Sequence, residues 1–311
     1  MSRILPILLF LAALCSPIAS GIQVTRPTPS DNSAIQGKAS PSEIADLQKK
    51  ADSGNADAQN RLGVLYWMGD GVNRDRTQAV QWYRKAARQG NADAMFNLGA
   101  AYYDGEGVAT IDDILAYAWF VLAGQAGSTS GADAAKRSQS EHPHAYDDVC
   151  FAIGQLYERG EDLPKNIELA SAWYRKAAQQ GHVQAILGLA TLAINAKDFG
   201  VARDWCERAA KERAAGGYYC LAYLNQHGLG GDQNLKAALK WYQDAAKMGN
   251  QAAMITLGKM FAGGEGVKRD RAQAFLWYFT AARRGNAEAI SAANDLRASM
   301  SEKERKEPKR N

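Results

Sequence analysis

Residues 79–94 read AVQWYRKAARQGNADA, and recognisable copies of this stretch recur along the 311-residue chain. The copies align on Trp82, Trp119, Trp173, Trp205, Trp241 and Trp277, each preceded three positions earlier by an alanine: Ala79, Ala116, Ala170, Ala202, Ala238 and Ala274. Successive tryptophans stand 37, 54, 32, 36 and 36 residues apart, a period typical of stacked helical arrays.

The local signals define a unit. Four residues before the alanine stands Asp75, Asp112, Asn166, Asn234 or Asp270, a side chain suited to accept a backbone N–H at a helix start. Four residues after the Trp comes a small pair, as in Ala86-Ala87 or Ala245-Ala246. Positions i and i+4 share a helix face, so a large side chain sits beside a small one. The helix ends at Gly90, Gly127, Gly181, Gly249 or Gly285, where glycine enters the left-handed conformation cheaply. The next helix carries Ala-x-x-x-Leu-Gly-x-x-Tyr, as in Ala58, Leu62, Gly63, Tyr66 and Ala94, Leu98, Gly99, Tyr102. A glycine inside a helix costs about 1 kcal/mol relative to alanine, which points to close approach of a neighbouring helix. A Gly-x-Gly-Val turn follows at 69–72, 105–108 and 264–267. The unit is therefore helix, glycine loop, helix.

This register closely resembles the Sel1-like repeat, a relative of the tetratricopeptide repeat, over roughly residues 41–300. The resemblance implies an all-α fold, a right-handed α/α superhelical solenoid of about six helix pairs plus capping helices. It departs from the pattern at Asp162, which replaces the second loop glycine of the third copy, and in the fourth copy, where Thr191 to Asp204 lacks the glycine loop. Each repeat of a solenoid touches only its neighbours, so one continuous array is expected rather than two domains.

Outward from the repeats, residues 1–20 carry Arg3, an apolar run from Ile4 to Leu14, and then Ile18-Ala19-Ser20. This is the pattern of a secretory signal peptide cleaved near Ala19 to Gly21, and the run is too short for a membrane span. Leu14 before Cys15 is larger than a lipoprotein signal accepts. A periplasmic or secreted soluble chain is expected. Residues 21–40, with Pro27 and Pro29, lack apolar content and read as a disordered linker. Ser40 to Ser53 reads as one helix capping the array, with Pro41 in its first turn. Residues 128–148 break the period and include Glu141, His142, His144, Asp147 and Asp148. Pro143 prevents helical presentation of these groups and no third His or Cys stands nearby, so a solvated loop is expected and no metal. Residues 301–311 alternate acids and bases and read as a charged disordered tail.

The formal charge is +4, with 37 basic residues interspersed among 33 acidic ones; this balance argues against nucleic acid as a partner. Loss of the signal leaves Cys150, Cys206 and Cys220. Cys206 and Cys220 fall on adjacent elements, and the sequence leaves open whether they form a disulfide or pack as buried thiols.

No catalytic arrangement emerges. Gly127-Ser-Thr-Ser-Gly131 imitates a nucleophile elbow but has Thr129 at its centre and no preceding strand. The Gly-x-Gly turns lack the lysine and strand of a phosphate loop, and neither a cofactor nor a metal is expected. His182 and His227 read as inter-helix loop residues.

What remains is a surface. If Leu62, Gly63 and Tyr66 face the core, positions 57, 60, 64 and 67 lie on another face of the same helix, the one that lines the concave side of related arrays. Across the copies this face gives Trp67, Phe96, Tyr103, Phe151, Tyr219 and Tyr223, punctuated by Asp57, Asp93, Gln155, Gln226 and Lys259. The stripe is expected to anchor a peptide or protein partner. Together with the resemblance, it implies a noncatalytic adaptor of the bacterial envelope. The second reading is a cell-wall-directed enzyme or a glycan binder associated with peptidoglycan, since β-lactam hydrolysis is attributed to some secreted members of the resembled family.

Overall fold

The computed structural model describes residues 39–301; the expected signal peptide, nearly all of the linker and the charged tail lie outside them. Fifteen α-helices, and among the described residues no strand, follow one another as α1 (Pro41–Asp52), α2 (Ala56–Met68), α3 (Arg76–Ala87), α4 (Ala92–Asp104), α5 (Asp113–Gln125), α6 (Thr129–Glu141), α7 (Tyr146–Arg159), α8 (Ile167–Gln179), α9 (Val183–Asn195), α10 (Phe199–Lys211), α11 (Ala215–His227), α12 (Leu235–Lys247), α13 (Gln251–Gly263), α14 (Arg271–Ala282) and α15 (Ala287–Ser299). Pairs α2/α3, α4/α5, α7/α8, α9/α10, α11/α12 and α13/α14 pack most closely, and each pair stacks on the next. The chain is an all-α helical-repeat solenoid.

The caps form where the sequence places them. Asp75, Asp112, Asn166, Asn234 and Asp270 each accept a backbone N–H at the start of a second helix. Asn55, Asn91, Asn250 and Asn286 do the same for first helices. Ser40 caps α1 and forms a reciprocal capping box with Glu43.

The helix glycines receive rings. A Cβ built at Gly63 stands 2.6 Å from Tyr83 Cε1, one at Gly99 2.5 Å from Phe120 Cε1, and one at Gly258 2.5 Å from Tyr278 Cε1; Gly154 faces Tyr174 in the same way. These rings belong to the residue after each repeat tryptophan, and Tyr83, Phe120, Tyr174, Tyr242 and Tyr278 are all buried. The fifth copy has Ala222 in place of the glycine, beneath Tyr242. The principal knob is thus the residue after the Trp rather than the Trp itself. Trp82, Trp119 and Trp173 are buried, whereas Trp205, Trp241 and Trp277 keep an exposed edge. Lys85 and Lys176 lie 3.7 Å above the rings of Trp82 and Trp173, covering them by cation–π contact.

Residues 128–148 are not the expected solvated loop. Ser128 accepts the Gly131 N–H and starts α6, which lies against α5 because Gly124 and Gly131 let the two backbones approach. The signal for this helix was Ser128 directly after Gly127, the same cap-after-glycine spacing as in the repeats. His142 ends α6, and among the described residues no group of His, Cys, Asp and Glu could hold a metal ion. No helix among those residues is long and apolar enough to cross a membrane.

The buried rings give the fold a pH signature. Burial pushes the hydroxyls of Tyr83, Tyr174 and Tyr242 far above the ordinary phenol value, and the hydrogen bond that Tyr174 donates to the Glu158 carboxylate adds to the effect there. Above about pH 10 the unfolded chain loses these protons while the folded chain keeps them. Stability should therefore be unaffected by these groups below that pH and fall as pH rises past it. Urea midpoints measured between pH 7 and 11.5 check this; an unchanged midpoint above pH 10 would contradict the burial of the rings.

Candidate partner-binding groove

The first helices of successive pairs line an open groove of about 1650 Å³. Its floor holds Phe151 and Gln155 of α7, His182 and Gln184 at the start of α9, and Tyr219 of α11. One wall comes from Arg84, Tyr102, Asp112 and the loop at Glu161-Asp162. The other comes from Gln251, Ile255, Thr256 and Lys259 of α13, with Glu288 of α15.

The aromatic floor is held in place. The Phe151 ring lies 5.4 Å from that of Tyr174 and stacks on His182 at 4.5 Å. His182 occupies the cap position that asparagine fills elsewhere: its Nδ1 accepts the Ala185 N–H at 3.1 Å, so the proton sits on Nε2, 3.1 Å from Asp148 Oδ1. The expected loop histidine is therefore the cap of α9. Tyr219 packs 5.6 Å from Tyr242; burial raises its hydroxyl pKa and a hydrogen bond with Thr256 opposes that rise.

Asp162, the departure from the repeat pattern, closes one end of the groove. Arg84 places Nε 3.0 Å from Asp162 Oδ1 and donates to the Tyr102 hydroxyl at 3.0 Å, while Arg88 donates to the Glu161 carbonyl. Burial pushes the Asp162 carboxyl above its usual range, with Arg84 pulling the other way. At the far wall Lys259 pairs with Glu288 at 2.8 Å. Five carboxylates (Asp112, Asp148, Glu161, Asp162, Glu288) face three permanent cations (Arg84, Arg159, Lys259), so this face is acidic although the chain as a whole is basic.

The six stripe residues do not share one surface. Phe151 and Tyr219 lie in the groove. Trp67 and Phe96 are only 5% and 2% exposed, which corrects their expected place on the concave face: Trp67 packs 6.3 Å from Tyr83 and Phe96 5.6 Å from Phe120. Tyr103 is half-buried, with the carboxylate of Glu141 nearby. Tyr223 is half-buried against the His227 ring, 4.4 Å away. The position of Trp67 varies between copies because it finishes the packing of the inserted ring. Glu158 accepts the Tyr174 hydroxyl at 2.5 Å, Gln226 accepts the Tyr242 hydroxyl at 2.7 Å, and Trp67 lies against Tyr83. Sequence reasoning passed over Arg84, His182 and Gln184 as groove residues. The one signal was that Asp162 and His182 replace the repeat's usual glycine and asparagine.

The Sel1 repeat profile matches residues 56–91, 92–128, 148–182, 196–212, 216–250 and 251–286, together more than half of the chain. Among curated proteins, chitin synthase regulator SKT5 of Saccharomyces cerevisiae is 35% identical over 100 residues, 30% of this chain and 14% of SKT5. Secretory immunoglobulin A-binding protein EsiB of Escherichia coli is 44% identical over 43 residues, 14% of this chain and 9% of EsiB. The chain thus matches only a small part of either relative. Among solved structures, c5321, a protective antigen of uropathogenic Escherichia coli with an SLR fold, is 30% identical, covering 86% of this chain and 62% of that one at a TM-score of 0.47. A Sel1 repeat protein from Oxalobacter formigenes is 26% identical, covering 82% of this chain and 80% of that one at a TM-score of 0.41. With the repeat profile matched six times over more than half of its length, the chain belongs to the Sel1 repeat family.

Proposed function

We propose that this protein is a noncatalytic scaffold of the cell envelope that holds an extended segment of a partner protein in the groove. Sel1 repeats generally mediate protein–protein interaction, and family members are generally non-catalytic scaffolds. The envelope setting is supported by the signal-like residues 1–20. The observation that carries the groove reading is its shape and lining: one groove runs from Arg84 on α3 to Glu288 on α15, with Phe151 and Tyr219 on its floor and side-chain amides of Gln155, Gln184 and Gln251 around them.

Such a surface suits a peptide chain. A side-chain amide both donates and accepts, so it can pair with the N–H and C=O of an extended backbone whatever its sequence. Rings supply contact area at small cost in conformational entropy. The acidic balance favours segments carrying lysine or arginine and speeds their encounter at low salt.

Two sets of variants separate this role from stability. Phe151→Leu with Tyr219→Leu keeps apolar volume while removing the floor rings. It should retain its melting temperature within a few degrees and bind a partner recovered from envelope extract at least tenfold more weakly, as expected for aromatic anchors. Trp67→Leu, in the buried set, should lower the melting temperature and leave that affinity unchanged. Undiminished binding by the double variant, or a loss equal to it in Trp67→Leu, contradicts the groove assignment; titration calorimetry and thermal melts supply both readings.

A further inference from the structure

The fourth helix pair, α9/α10, lacks the devices that make the other pairs alike. At the ring position stands Cys206, and at the glycine position Ala190, so no ring inserts between the two helices. The chain reverses after α9 and α10 at Lys197 (φ 62°) and Arg213 (φ 56°), non-glycine residues in the left-handed region where the reversals of the other helix pairs have glycine. The N-cap of α11 is Ala214, which supplies no side-chain cap, a feature shared only with α7 at Ala145 among the described helices.

The buried core, which also sets apart a small cluster around Leu62 and Trp82 at its N-terminal end, is divided at the same place. One hydrophobic body runs from Trp67 through α9 to Ala209, and a second from Ala222 to Ala293. Between them lies a small cluster of Ala190, Cys206, Cys220, Leu221 and Leu224, flanked by Trp205 and Trp241. Within that cluster Cys206 of α10 and Cys220 of α11 form a disulfide, with Cα atoms 5.7 Å apart and a sequence separation of 14.

We infer that the Cys206–Cys220 disulfide takes the place of the missing ring contact and is a redox-sensitive joint fixing the orientation of two half-solenoids. The groove draws Phe151, Gln155 and His182 from the first half and Tyr219, Thr256 and Lys259 from the second. The joint therefore sets the distance between the walls of the groove; this consequence rests on the function proposed above, whereas the joint itself does not.

Opening it requires a dithiol reductant. A thiolate of the reductant attacks Cys220 Sγ, because Cys220 is 9% exposed and Cys206 is fully buried. The Cys206 sulfur leaves with the bonding electron pair and takes up a proton. The second thiol of the reductant then displaces Cys220, which is also protonated. Two electrons and two protons pass to the protein, and the reductant becomes a disulfide. Cys150, buried on α7 and unpaired, takes no part.

Hydrogen exchange followed by mass spectrometry on the full chain, with and without dithiothreitol, tests the joint. Reduction should speed exchange in α10 and α11 at least tenfold, while α4–α5 and α13–α14 change less than threefold. Loop closure over this length is worth on the order of a hundredfold in a local opening equilibrium, so the expected change is well within reach. Equal acceleration in all helices, or none in α10 and α11, overturns the inference. A Cys206→Ser, Cys220→Ser variant should exchange like the reduced protein and be insensitive to the reductant; a variant that still responds to dithiothreitol in α10–α11 overturns it as well. Because no ligand is present, these readings are independent of whether the groove binds a partner.

Discussion

The contact on which the array depends is an aromatic ring of the second helix resting on a helix glycine of the first, made in four of the six helix pairs. Gly63, Gly99, Gly154 and Gly258 are the places where Tyr83, Phe120, Tyr174 and Tyr278 come too close for a Cβ. A mid-helix glycine is unfavourable by about 1 kcal/mol relative to alanine. Burying most of a Phe or Tyr side chain contributes on the order of 2–3 kcal/mol. The ring outweighs the helix penalty, and at these four pairs a Cβ at the glycine would meet the ring, whereas the fifth pair accommodates Ala222 beside Tyr242.

That contact also determines which side chains are free to act elsewhere. The residue closing over the ring tip must match it, so Glu158 and Gln226 accept tyrosine hydroxyls while Trp67 lies against Tyr83. Three residues before the glycine position, Phe151 of α7 and Tyr219 of α11 pack against the Tyr174 and Tyr242 rings and, with Gln155, also line the groove. The concave surface is therefore built on the packing around the rings. It is adjusted by two departures from the repeat, Asp162 held by Arg84 and His182 bonded to Asp148.

Much of this was legible in the sequence because caps and reversals are local. Asp75, Asn91 and Ser40 lie within three residues of the N–H groups they accept, so spacing alone identifies them, and helical phase identified the first helices. The phase of the groove was harder to read, because one helical step is about 100° and a shift of one residue exchanges a buried for an exposed position. Trp67 fell on the wrong side of that boundary, whereas Phe96 shares the repeat position of Phe151 and Tyr219 and is buried by its own surroundings rather than by phase. The role of the ring after the Trp was obscured because Trp repeats without change, while its neighbour alternates between Tyr, Phe and Cys. The partners of Asp162 and the Cys206–Cys220 pairing rest on distances between helices, which spacing does not supply.

A double-mutant cycle between Gly99 and Phe120 tests the central contact most directly. Gly99→Ala alone should destabilise the protein by about 1–3 kcal/mol, the usual range for overpacking a filled core. In a Phe120→Ala background the ring is absent and the helix preference of alanine takes over, so the same substitution should stabilise by about 1 kcal/mol. Urea denaturation of the four proteins gives the cycle. A reversal of sign is the predicted result; an effect of Gly99→Ala that is the same in both backgrounds would contradict the account.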